Sequence, residues 1–173
     1  MADVALDNPP QGFLYLGQEN VTLDERHRCP IPMKYVKRMH ELFPDEKDSI
    51  SVFVSYPRLP QRCLVVYPKQ YWMARYRELL AKQNSPETSI EVLKRINLIM
   101  GATHMETLDG QNRIKLNPMM TSQVGILPSL KLPDGGNQSS IVVVGTNNCI
   151  ELWQKSEYVA WAAGVAVGCN TAV

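Results

Sequence analysis

The sequence predicts a mixed, β-rich α+β fold built from two copies of one unit, and three observations carry that prediction. The segments Leu23-Asp24-Glu25-Arg26-His27-Arg28 and Leu108-Asp109-Gly110-Gln111-Asn112-Arg113 share a leucine, an aspartate and an arginine at a constant offset of 85 positions (109 − 24 and 113 − 28). Cys63-Leu64-Val65-Val66-Tyr67 and Cys149-Ile150-Glu151-Leu152-Trp153 each run as an apolar strand into an aromatic residue, with Lys69 and Lys155 two places later. Between these landmarks, short runs alternate with period two and others recur at helical spacing. A tandem duplication governs the whole architecture, so it takes precedence over local readings.

In order, residues 1–12 read as a flexible lead and residues 13–23 as a strand. Asp24 to Arg28 makes a tight polar connection, and residues 29–31 resume as a strand. Pro32 suits the first turn of a helix, where its missing N–H costs nothing. Val36, Met39 and Phe43 continue at helical spacing to a stop at Pro44. Ile50, Val52 and Val54 alternate as a strand. A proline-rich loop at residues 56–60 leads into a strand at 62–67, and Pro68 opens a helix with Trp72, Tyr76 and Leu79 on one face. Ser85-Pro86-Glu87 reads as a helix start, with Gly101 as its C-terminal cap. The second copy repeats the order: strand 102–108, turn 109–113, strand 114–116, and a short helix from Pro118. Strands at 141–144 and 149–153 follow, joined by a hairpin at Asn147-Asn148. Ser156 reads as the N-cap of a helix through Tyr158 and Trp161. Residues 128–140 read as a long loop, and the tail after Gly164 as frayed.

Composition narrows the function classes. The 173 residues carry 18 basic and 17 acidic side chains, a net charge of +1. The distribution is uneven: residues 24–38 hold five basic and two acidic residues, and residues 58–95 hold eight and three. A neutral total can therefore carry a basic face. The four cysteines are widely spaced without metal-ligand patterns, so neither a disulfide nor a metal is expected. No apolar run is long enough to span a membrane, and the N-terminus lacks signal-peptide features. A soluble, intracellular protein is expected. No nucleophile motif, phosphate loop or metal-ligand run appears, so no catalytic residue, enzyme activity or cofactor is expected. His27, His40 and His104 are isolated. Tyr67/Trp72 and Trp153/Tyr158 read as core aromatics rather than base-stacking platforms, and Arg75, Arg77, Lys82, Lys94 and Arg95 as a solvated helical face.

The repeated Asp-x-x-x-Arg device has two readings. An aspartate opening a tight turn accepts N–H groups two or more residues ahead, and the arginine returns beside it, giving a surface pair that only tidies the loop. Alternatively, the turn tips present arginines to phosphates or guanine edges. The first loop carries a net +3 over residues 24–38, whereas residues 106–118 sum to zero. The first is therefore expected to make the main contact, with Asp109–Arg113 mostly closing its turn.

The doubled motif and the paired strand endings together resemble the MraZ family of transcriptional regulators, over residues 14–161. The resemblance implies two tandem AbrB-like, swapped-hairpin β-barrel units with flanking helices. Their boundaries would be a lead at 1–12, a first repeat at 13–83, a connecting helix at 84–101, a second repeat at 102–163 and a tail at 164–173. It implies a ring-shaped homo-oligomer binding repeated double-stranded promoter DNA of a cell-division and cell-wall gene cluster, in the cytoplasm and on the nucleoid. By position, the DNA-binding residues fall on Arg26, Arg28 and Arg113, and the turn-structuring ones on Asp24 and Asp109. The chain departs from the family pattern at His27 and Asn112, where glycine is usual, at Gly110-Gln111, and in the 128–140 insertion. An oligomeric protein-interaction scaffold with reduced DNA binding is the alternative. No small-molecule substrate is expected.

Overall fold

The computed structural model describes residues 15–46, 49–56, 62–128 and 141–169, with side chains as far as residue 165. The expected N-terminal lead and nearly all of the 128–140 loop lie outside the described residues.

The chain runs β1 (Gln18–Val21), β2 (Arg28–Pro30), α1 (Met33–Leu42), a 3-10 turn (Pro44–Glu46), β3 (Ser51–Ser55), β4 (Cys63–Pro68), α2 (Lys69–Gln83) and α3 (Ile90–Ala102). The second copy follows as β5 (His104–Thr107), β6 (Arg113–Lys115), α4 (Pro118–Gln123), β7 (Ile141–Thr146), β8 (Cys149–Gln154) and α5 (Lys155–Cys169). Asn117 caps α4 by accepting the Met119 N–H at 2.9 Å, and Pro118 occupies its first turn. The α3 start lies later than Ser85-Pro86 predicts. Ser85 closes a turn onto Thr88 instead, and Ser89 Oγ accepts the Val92 N–H. Gly101 sits inside α3, because the Thr103 hydroxyl and N–H both donate to the Ile99 carbonyl and extend the helix past it. α5 runs through Gly164 to Cys169, beyond the point where fraying is expected.

Six strands form one antiparallel sheet in the order β1-β7-β8-β4-β3-β5, and β2 and β6 form a separate two-stranded ladder. The sheet order is a palindrome under exchange of the repeats, with β1 matching β5, β3 matching β7 and β4 matching β8. β4 and β8 pair at its centre, Leu64 opposite Leu152 and Val66 opposite Ile150, so the repeat axis passes through the Val65–Glu151 pair. β1 of the first repeat pairs with β7 of the second, and β5 of the second with β3 of the first.

This architecture corrects the expected pair of swapped-hairpin β-barrel units. A barrel needs its first and last strands to pair. Here β1 and β5, four residues each, lie at opposite margins with four strands between them, so the sheet among the described residues is open. The mixed α+β composition stands.

The sheet is covered on both faces. One core holds Leu64, Val66, Val143 and Leu152 with Tyr35, Val36 and Met39 of α1, Met120 of α4, and Cys29 and Ile114 of the small ladder. The other holds Cys63, Val65, Tyr67 and Trp153 with Tyr71 and Trp72 of α2 and Ile99 of α3. Burial on both sides explains why β4 is apolar along its whole length rather than alternating. Among the described residues no helix is long and apolar enough to cross a membrane.

Candidate nucleic-acid interface

The two Asp-x-x-x-Arg turns fold alike. Asp24 Oδ1 accepts the backbone N–H groups of Arg26 at 2.9 Å and Arg28 at 2.8 Å, while Arg28 Nε donates to Oδ2 at 2.6 Å. Asp109 Oδ1 accepts those of Gln111 and Arg113, both at 2.9 Å, and its Oδ2 takes Arg113 Nε at 2.9 Å. Backbone bonds close each turn in the same way: His27 N–H to Asp24 O and Asn112 N–H to Asp109 O, at 2.9 and 2.8 Å. His27 and Asn112 each adopt φ 58°, the left-handed conformation for which glycine is usual.

These bonds fix the charge of both aspartates. Burial opposes ionisation of Asp24, but the bonds from the Arg28 backbone and side chain and from the Arg26 backbone outweigh it and hold its pKa below the ordinary carboxylate value. The Arg113 side-chain bond, then the Arg113 backbone bond, bring Asp109 down to about 2. Both turns are thus held by a carboxylate that stays ionised.

The ladder places the turns. β2 and β6 run antiparallel, Arg28 opposite Lys115, Cys29 opposite Ile114 and Pro30 opposite Arg113, a register that maps onto itself under the 85-residue offset. The turns are also tied to each other's strands: Ile31 N–H donates to Asn112 O and Leu116 N–H to His27 O, both at 2.8 Å. Successive strand residues point to opposite faces. Cys29 and Ile114 are fully buried beneath the ladder. Arg28, Arg113 and Lys115 therefore share its outer face, the arginines part-exposed and Lys115 exposed. Along the strand direction the two arginines are offset by two residues, roughly 7 Å. Arg26 is exposed at the tip of the first turn.

The structure thus brings Arg28 and Arg113 to one face, leaves Arg26 exposed at the tip of the first turn, and adds to that face Lys115, which sequence reasoning treated only as a charge in the second loop. The signal was available, since alternation from Arg113 and the offset from Pro30 both point to it. The cations expected to back the first loop are partly engaged elsewhere: Lys34 pairs with Glu19 at 2.9 Å and Arg38 with Glu41 at 2.5 Å. Both turns are closed by the same bonds, so turn geometry does not distinguish a DNA-contacting loop from a structural one. Tyr67, Trp72 and Trp153 are buried in the core, away from any stacking role. The Cys29, Cys63 and Cys149 thiols are buried, which pushes their pKa values up, to about 12 for Cys29.

Fold and site define a class: a two-fold repeated α+β protein that presents a basic ladder between two aspartate-closed turns. No family model matches the chain. It is similar to "Transcriptional regulator MraZ" of Thioalkalivibrio sulfidiphilus, 28% identical over 146 residues, covering 84% of this chain and 83% of that protein. The namesake from Saccharophagus degradans is 25% identical, covering 88% of both chains, and that from Shewanella loihica 24%, covering 91% and 89%. Over most of its length the chain is thus similar to proteins named as MraZ transcriptional regulators.

Proposed function

We propose that this protein is a non-catalytic, MraZ-type transcriptional regulator that binds double-stranded DNA sequence-specifically through the outer face of the β2–β6 ladder. Arg26, Arg28 and Arg113, with Lys115, are its contact residues, and Asp24 and Asp109 hold the turns that carry them. The observation that carries the reading is the convergence of both repeats' cations on one outward face. That concentrates charge in a chain whose net is only +1.

One such face offers few phosphate contacts. Each adds about −0.9 to the slope of log affinity against log salt, so a single copy binds weakly at cellular salt. A ring-shaped homo-oligomer would place several faces on repeated promoter sites, and effective concentration then converts weak contacts into tight binding. The exposed edge strands β1 and β5, and Val159, Trp161 and Val165 exposed on α5, are surfaces a second copy could cover. The cell-division and cell-wall gene cluster is the proposed target, and the cytoplasm and nucleoid the proposed location. Footprinting the full chain on DNA upstream of its own gene tests the reading. Regularly spaced protection, with sedimentation as an oligomer, is expected; an unprotected segment or a strict monomer contradicts it.

A second reading, an oligomeric protein-interaction scaffold, draws on one observation. Arg28, Arg113, Lys34 and Arg38 all have acidic partners, which lowers the charge free for phosphate. Oligomerisation without protection of any DNA would favour it.

A further inference from the structure

On the sheet face opposite the basic ladder, residues of α2 and α3 line a cleft of about 220 Å³ between them. Its walls are apolar, formed by Leu79, Val92, Ile96 and Ile99, with Ile96 and Ile99 continuing into the core. Among the described residues its charged lining is Arg75, Lys82 and Arg95 with Glu78. Lys82, Arg95 and Glu78 are exposed at the rim. Arg75 is not: it is 9% exposed, and its Nε is buried with no hydrogen-bond partner. Its guanidinium lies 5.4 Å from the centre of the Tyr67 ring.

A buried guanidinium with an unmatched donor is costly, and native structures retain such groups where something completes them. The shape of the cleft, an apolar trough with one buried cation and charges of both signs at the mouth, matches a small molecule with one charged end. A planar carboxylate fits the guanidinium fork, and an apolar chain fits the trough. A shallower depression shares Lys82 and Val92 with the cleft and opens it to solvent past Thr88 and Ser89.

We propose that the α2–α3 cleft binds a small amphipathic organic anion, a carboxylate on a short apolar chain, with Arg75 as its buried charge partner. The site involves no residue of the ladder, so it stands or falls separately from DNA binding.

Calorimetric titration of the full chain with hexanoate, hexan-1-ol and inorganic phosphate tests this. Hexanoate should bind once per chain. Hexan-1-ol lacks the charge and phosphate the chain, so each should bind at least about tenfold more weakly. Arg75→Met removes the charge and keeps an apolar side chain in place. It should melt no lower than the parent, because a buried unmatched donor is lost, and should weaken hexanoate by about tenfold or more. Val92→Trp, a change at the partly exposed edge of the trough, should fill the cleft and block hexanoate with the fold intact. The proposal is overturned if hexanoate gives no saturable heat, if hexan-1-ol or phosphate binds as tightly, or if Val92→Trp or a folded Arg75→Met binds hexanoate like the parent. Should Arg75→Met fail to fold, Val92→Trp and the hexan-1-ol comparison decide.

Discussion

His27 and Asn112 share one backbone conformation, φ 58°, but not its cost. Asparagine tolerates the left-handed region through its short polar side chain, whereas a left-handed L-residue otherwise costs about 1–2 kcal/mol. The half-buried His27 also has its Nδ1 unpartnered. Glycine loses more chain entropy on folding, which offsets part of the relief. His27→Gly is therefore expected to stabilise by about 0.5–1 kcal/mol, and Asn112→Gly to change the melting temperature little. Equal shifts of the two variants in a thermal melt, or a lower melting temperature for His27→Gly, would contradict this. The same turns predict an acid response. Both aspartates have folded pKa values below their unfolded ones, so their contribution is complete above the unfolded value near ~4. It is lost as pH falls toward the folded value, about 2 for Asp109. Asp109→Asn should therefore reduce the loss of stability across that acid window, measured by denaturation at stepped pH. A variant whose acid limb matches the parent's would count against the ionised-turn account. The turns themselves were legible in the sequence because their bonds span four residues. The identity of the arginines' shared face was not, because it depends on which strand lies opposite.

Among the elements, β1 and its neighbour show how close packing limits the sequence. A Cβ built on Gly145 would lie 2.6 Å from the Tyr15 carbonyl carbon and 2.7 Å from its oxygen, both backbone atoms. The approach is fixed by the Tyr15 N–H to Asn147 O bond and the Gly145 N–H to Gly17 O bond, at 3.1 and 2.9 Å. Gly145→Ala is expected to cost about 1–3 kcal/mol by forcing the lead into β1 away from β7. Gly110→Ala meets nothing within 4 Å and serves as the neutral control. Denaturant titration of the two variants compares them; equal midpoints would refute the steric argument. At this scale the hairpin at Asn147-Asn148, the proline-started α4 and the alternation of β3 were readable, since each rests on local chemistry. The α3 boundaries were not. Ser85 and Ser89 are both credible caps, and the choice between them is made by the turn that Ser85 closes onto Thr88.

For the whole molecule, the repeats are two in sequence but one in packing. Every strand pair beyond β3–β4 and β7–β8 joins residues of different copies. The duplication was plain in the sequence, while this interleaving was not, because it rests on pairings between residues scores of positions apart. A fragment ending in the α2–α3 connection would leave β3 and β4 without β5 and β8, and should not fold as a monomer. Mixing it with the complementary fragment should restore the parent's circular dichroism spectrum. A stably folded monomeric first half would contradict a shared sheet.

The central claim is that both repeats deliver cations to one DNA-binding face. Arg26 and Lys115 test it most directly, because both are exposed and neither side chain closes a turn. Affinity for DNA upstream of the protein's own gene, measured against salt for the parent, Arg26→Ala and Lys115→Ala, separates the possibilities. The account predicts parental melting curves, weaker binding by each variant, and a salt slope shallower by about 0.9 per cation removed. Two variants that bind as tightly as the parent, with an unchanged slope, would contradict it.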